Sequence, residues 1–174
     1  MPVLPPVVCV VGKKKSGKTT LVEKLVRCFR QRGYRVGTIK HAPHGIDLPE
    51  DPGDSGRHAR AGAATTIVAA PDILFLTRRS SAGTLDISLE RVRPLVLDVD
   101  LVIAEGYKEA ACPKIEVFLP ERHRSPCCLD DPGLFALVAD VPLAAGVPRF
   151  RFDAIAPLAD LIETHLLTDA GAAD

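Results

Sequence analysis

The run Gly12-Lys13-Lys14-Lys15-Ser16-Gly17-Lys18-Thr19 stands between five consecutive apolar residues, Val7–Val11, and a segment whose apolar positions recur at helical spacing. It satisfies the pattern G-x-x-x-x-G-K-[ST] in full, and that context leaves few folds open. An unbroken apolar run of this length is a strand buried on both faces, as in parallel sheets. Leu21, Val22, Leu25, Val26, Cys28 and Phe29 then line one face of a helix over Lys18–Arg32, with Gly33 as its stop. Gly12 and Gly17 allow backbone angles that a side chain forbids and let the chain approach an anion closely. Successive N–H groups of Lys13–Ser16 line a concavity, and the helix adds its positive end. Lys18 is positioned to reach the β- and γ-phosphates of a nucleoside triphosphate, and the Thr19 hydroxyl to sit on Mg²⁺.

The remaining chain continues the alternation. Val36–Lys40 is a second strand, so strand, helix and strand form a crossover unit with parallel strands. Residues from His41 to Arg60 form a long polar segment with several prolines and glycines, of the length that connections reserve for function or motion. Within it, Asp54 or Ser55 is the expected cap of a helical turn. Thr65–Ala69 and Ile73–Thr77 are strands, and Asp86–Leu97 fits a helix with Ile87, Leu89, Val92 and Leu95 or Val96 inward, weakened near its end by Pro94. Leu101–Ala104, Lys114–Phe118 and Phe135–Ala139 are further strands, with a polar loop over Pro120–Pro132. Pro148–Asp153 is a connector, Ile155–Leu167 a closing helix, and Thr168–Asp174 a frayed tail. The expectation is one α/β domain over residues 1–174, with its core at about 7–167, in which helices flank a largely parallel sheet in three layers.

A phosphate loop needs an acidic group to organise metal and water. Glu105 closes the strand Leu101–Ala104 at its carboxyl end, where ligands bind in open α/β sheets, and Gly106 leaves that point sterically open. Lys40 emerges at the same edge as an anion contact, followed by His41, His44 and Asp47. Asp54 and Ser55 are either a capped surface turn or a switch-like segment facing the γ-phosphate; the sequence leaves both open.

Acidic and basic residues number 22 each, so the net charge is zero and neither nucleic acid nor an anionic membrane is favoured as a partner. Five irregularly spaced cysteines point to reduced thiols in a cytoplasmic protein. Cys112, His123, Cys127 and Cys128 match zinc-ligand spacing poorly because two of them are adjacent.

In combination these segments resemble the family of molybdopterin-guanine dinucleotide biosynthesis protein B (MobB). The resemblance runs from Val7 to about Leu167. It rests on Gly12–Thr20, Gly33-Tyr34-Arg35-Val36-Gly37-Thr38-Ile39-Lys40-His41, Asp54-Ser55 with Ala61-Gly62-Ala63, Glu105-Gly106-Tyr107-Lys108 and Pro113-Lys114-Ile115-Glu116-Val117. It implies the P-loop NTPase fold, GTP with Mg²⁺ as ligand, Thr20 as part of the loop, and Ala139-Asp140 as the base-side segment. It also implies a homodimer that assists a MobA-type guanylyltransferase in attaching GMP to molybdopterin, with slow GTP hydrolysis at most. The family's Pro-Gly-Lys-Asp-Ser run is Asp51-Pro52-Gly53-Asp54-Ser55 here, without the lysine. No Asn-Lys-x-Asp guanine signature is present, so guanine is implied by the resemblance alone. Two other readings stand beside the adapter: a small-molecule kinase with an arginine-bearing lid drawn from Arg78-Arg79, Arg91 and Arg93, or Arg122 and Arg124, and a GTP-dependent metallochaperone using His41, His44 or Cys112.

Overall fold

Four valines and a cysteine in succession offer no polar face, and strand β1 (Val7–Val11) is buried throughout. The computed structural model describes residues 4–46, 53–80, 85 and 87–167. Asp47, Asp51, Pro52 and Asp86, and the tail from Thr168 to Asp174, lie outside them. The chain forms two compact units, one of residues up to His41 together with those from Ser88 onward, the other of Ala42–Ile87.

In the first unit, β1 lies between β5 (Leu101–Glu105) and β6 (Lys114–Val117), and β2 (Val36–Lys40), β7 (Leu134–Val138) and β8 (Arg149–Phe150) complete a six-stranded sheet of order β2-β5-β1-β6-β7-β8. Every pairing is parallel. Helices α1 (Lys18–Gln31) and α4 (Ile155–Leu166) cover one face. Leu21, Leu25 and Phe29 of α1 and Leu158 and Ile162 of α4 pack there on Val8, Val10, Ile103, Ile115 and Val117. Each such side chain contributes about 1.5–3 kcal/mol by leaving water. Arg32, just past α1, reaches Asp160 at 2.8 Å and Glu163 at 2.9 Å and ties the two helices together.

The other face carries Val7, Cys9, Val11, Val102 and Ala104, packed against Leu89, Tyr107, Cys112 and Cys128. The helix expected over Asp86–Leu97 is confined to α3 (Leu89–Val92), followed by a 3₁₀ turn over Arg93–Leu95. Pro94 has no N–H to continue an α-helical ladder. Leu89, Val92 and Val96 face the core, while Ile87 and Leu95 are exposed. The expected connector at Pro148–Asp153 contains β8, an edge strand of two residues paired to Leu137 and Val138.

Cys9 and Cys112 form a disulfide, which corrects the expectation that all five cysteines are thiols. The two lie 103 residues apart in sequence, but in the segment leading into β6 the Pro113 carbonyl accepts from the Cys9 amide, and this brings Cys112 over the same face. Spacing alone gives no sign of that closure. Cys28, Cys127 and Cys128 remain thiols.

The second unit consists of α2 (Asp54–Arg60) and the antiparallel pair β3 (Thr65–Ala69) and β4 (Leu74–Arg78). Gly53 is the N-cap of α2, and no side chain caps it, so neither Asp54 nor Ser55 fills that role. Asp54 instead accepts from Arg57 one turn on, at 3.4 Å. No helix among the described residues is long and apolar enough to cross a membrane.

Candidate triphosphate site

The carboxyl ends of β1, β2, β5 and β6 deliver the candidate residues to one edge of the sheet. In register, Val10 is opposite Glu105, Val11 opposite Glu116, and Lys40 opposite Glu105. The loop after β1 turns through three positive φ values, +139° at Gly12, +61° at Lys15 and +93° at Gly17. Lys14 and Lys15 are exposed, whereas Ser16 is 1% exposed and its Oγ is buried without a hydrogen-bond partner. Space around the loop is tight. A Cβ on Gly12 would run into the Val117 carbonyl, and one on Gly17 would come within 2.6 Å of Phe152 Cζ.

Helix α1 has no side-chain cap and no acidic residue in its first turn. Its leading amides therefore have no intrahelical acceptor, and its positive end faces the loop. Lys18 Nζ donates to the Gly12 carbonyl at 3.0 Å and to the Lys13 carbonyl at 2.8 Å. Partial burial pulls the Lys18 ammonium below the usual lysine range, and the Glu105 carboxylate opposes that shift. An orphaned buried hydroxyl, an uncapped helix start and a lysine folded onto loop carbonyls fit an anion held by this loop. Thr20, next along the first turn, is exposed.

Thr19 Oγ1 lies 2.9 Å from both oxygens of Glu105 and donates to that carboxylate. A hydroxyl beside a carboxylate is the oxygen-only donor set that Mg²⁺ takes, so Thr19 and Glu105 are the residues that would hold it. Lys40 Nζ stands 3.7 Å from Glu105 Oε1, so it meets this pair from β2. His41 follows, its amide on the Glu105 carbonyl at 2.9 Å and its ring stacked on Tyr107 with centroids 4.4 Å apart.

Asp140, one residue beyond Ala139 at the end of β7, accepts from the Phe152 amide at 3.1 Å. Lys24 of α1 donates to the Phe152 carbonyl at 3.0 Å and lies 5.5 Å from the ring centroid. Asp140 thus joins the edge through Phe152, whose ring packs on Gly17. Phe152 has no motif and was invisible to pattern reading. His123 is drawn in from the Pro120–Pro132 loop, its Nε2 donating to the Lys14 carbonyl at 2.9 Å. His44, Asp54 and Ser55 belong to the second unit.

Glu116 is another residue that the sequence marked only through its segment. On β6, Ile115 and Val117 face α1 and α4, so Lys114 and Glu116 point to the other face, and both are buried. The Pro120–Pro132 loop answers each charge. Asp131 meets Lys114 at 2.8 Å, and that hydrogen bond holds the Asp131 carboxyl below its usual range. Glu116 accepts the amides of Cys127 at 2.6 Å and Cys128 at 2.9 Å. Burial pushes the Cys127 thiol up to about 12, with Glu116 adding to the shift.

A cavity of about 790 Å³ opens at the opposite edge, at the amino ends of β6 and β7, lined among others by Lys114, Asp131, Phe135 and His165. Its two charged groups neutralise each other, Lys114 pairing with Asp131, and the His165 ring stacks on Phe135 with centroids 4.6 Å apart. The phosphate loop, where the buried Ser16 Oγ has no partner and α1 starts without a side-chain cap, is the better-founded site.

The family model described as molybdopterin guanine dinucleotide synthesis protein B matches residues 7–140. The chain is 34% identical over 149 residues to a molybdopterin-guanine dinucleotide biosynthesis adapter protein of Escherichia coli (strain K12), covering 84% of this chain and 85% of that one. It is 30% identical over 162 residues to the protein of the same name from Haemophilus influenzae, covering 92% and 89%. The crystal structure of Bacillus subtilis MobB superposes with a TM-score of 0.72 at 27% identity, over 94% of this chain and 99% of that one.

Proposed function

Because the chain belongs to the family of molybdopterin guanine dinucleotide synthesis protein B, we propose that it is an adapter in the assembly of that cofactor, working as a GTP-binding partner of a MobA-type guanylyltransferase that attaches GMP to molybdopterin. The observation that carries the nucleotide part is the phosphate loop itself, with Lys18 on loop carbonyls and Thr19 on Glu105. The loop amides and Lys18 bind and orient the β- and γ-phosphates, and Thr19 and Glu105 hold the metal. Bound Mg²⁺ supplies charge neutralisation on the phosphate oxygens. Asp140 and the Phe152 ring support the base side. The family's part in making a guanine dinucleotide supports guanine as the base, and the nucleotide pool on which such a protein would draw supports a cytoplasmic location.

The adapter reading is favoured over a kinase by the state of the groups beside the loop. Glu105 is held by Thr19 and Lys40, and the His41 ring is stacked on Tyr107. Neither is poised as a general base for an acceptor, so intrinsic hydrolysis is slow. The test is a titration with GTP and ATP, with and without Mg²⁺. GTP is expected to bind more tightly than ATP, and Glu105→Gln to remove about tenfold or more of the gain that Mg²⁺ gives. Equal binding of ATP and GTP argues against the base assignment, and fast phosphate transfer to a small acceptor argues for a kinase.

A homodimer is supported by the hairpin of the second unit. Ile67 pairs with Leu76 on one face and Val68 with Phe75 on the other, and all four are exposed. Ile73 and Leu74 at the turn are 63% and 66% exposed. An isolated two-stranded sheet is marginal in water, and apolar groups on both faces require cover. A second copy of this hairpin provides it. Phe75→Glu is expected to raise the dimer dissociation constant roughly 1000-fold, from about 2 kcal/mol per copy counted twice by two-fold symmetry. Sedimentation measures this, and an unchanged dimer would remove the hairpin from the interface.

A further inference from the structure

Two carboxylates flank the phosphate loop, and their surroundings differ in kind. Glu105 of β5 meets a hydroxyl and an ammonium. Glu116 of β6, on the other side of β1, meets sulfur. Its side chain and the thiols of Cys127 and Cys128 each place a ligand atom within 4.8 Å of the other two. The two sulfurs are 3.6 Å apart. Glu116 is 1% exposed and Cys128 6%, while Cys127 is exposed.

We propose that Glu116, Cys127 and Cys128 form a binding site for one thiophilic divalent cation of the zinc class.

Two zinc–sulfur bonds of ~2.3 Å at a tetrahedral angle place their sulfurs about 3.8 Å apart, close to the separation seen here. The carboxylate supplies a third ligand, and the exposed Cys127 side leaves an entry path and a fourth position for water. The spacing rule that disfavours adjacent cysteines assumes that ligands come in pairs from single turns. Here both thiols come from the Pro120–Pro132 loop and the carboxylate from a buried strand, an arrangement that only the fold assembles. The amides of Cys127 and Cys128 each donate to one oxygen of the Glu116 carboxylate and hold it in place, as hydrogen bonds to the ligands do at known metal sites. Ligand chemistry separates this site from the Thr19–Glu105 pair: thiolates select soft or borderline cations, whereas hydroxyl and carboxylate suit Mg²⁺. On binding, each thiol gives its proton to solvent as a sulfur–metal bond forms. The two protons released offset the two charges of the cation, so binding leaves the net charge of the site unchanged.

Cadmium titration of the full chain, with the Cys9–Cys112 bridge intact, tests the site through thiolate-to-metal charge-transfer absorbance and through stoichiometry by equilibrium dialysis. One ion per chain with a two-thiolate band is expected. Cys127→Ser is expected to lose about half the band and ~10-fold or more in affinity, and Cys127→Ser with Cys128→Ser the whole band. Glu116→Gln keeps the band but binds ~10-fold more weakly, and Cys28→Ser changes nothing. Cys127 is exposed, so its substitution leaves the core alone, and a melting curve without metal verifies that. A wild-type chain without the band, or a band that survives the double substitution, overturns the proposal.

Discussion

Lys18→Ala is expected to weaken triphosphate binding roughly 100-fold or more while leaving the melting temperature of the free protein unchanged. The affinity loss follows from charge-assisted hydrogen bonds to phosphate, worth about 1.5–3 kcal/mol each. The unchanged stability follows from the free site. Lys18 contacts only two loop carbonyls, and partial burial lowers its pKa. A lowered lysine pKa means that the folded state disfavours the charge, so removing the ammonium relieves a cost at any pH where the lysine is protonated, and this offsets the two hydrogen bonds lost. Binding by calorimetry and unfolding by circular dichroism separate the two effects. If Lys18→Ala binds GTP normally, the phosphates do not lie on this loop.

Gly12→Ala is expected to fail in the opposite way, by loss of fold rather than of ligand contact. Gly12 sits at φ +139°, where a side chain costs about 1–3 kcal/mol in strain. The added Cβ would also meet the Val117 carbonyl, which is backbone at the end of β6, and would come within 2.8 Å of Ser16 Oγ. The Ser16 hydroxyl can rotate, but the Val117 carbonyl does not move without shifting the loop against the central sheet. A loss of about 3 kcal/mol or more in urea unfolding, together with loss of triphosphate binding, is the expected result. A variant as stable as the parent would mean that β6 does not press on the loop.

The parts of this molecule legible in sequence are those that local pattern determines. Val7–Val11, the glycine-framed loop and the α1 stripe lie within 25 consecutive residues, and each has a distinct period. Glu105 was legible because it ends a buried apolar strand, and Lys40 because it ends the strand that follows the crossover helix. Features made by distant segments were not. Cys9 meets Cys112 only because β6 lies beside β1. Phe152 reaches Gly17 because Asp140 and Lys24 hold its backbone. Glu116 alternates with apolar residues along β6 as a solvent-facing position would, yet it is buried, and its partners come from a loop that shows no periodicity. Competing local chemistry explains other differences. A proline shortened α3, a glycine took the cap of α2, and β8 is too short to carry a period of two.

The central claim is that GTP held on this loop serves the making of the guanine dinucleotide cofactor. Its most direct test is the yield of that cofactor from a MobA-type guanylyltransferase, molybdopterin and limiting GTP, with this protein added as wild type or as Lys18→Ala. The account predicts that the wild type raises the yield and that Lys18→Ala does not. Equal stimulation by both, or none by either, would contradict it.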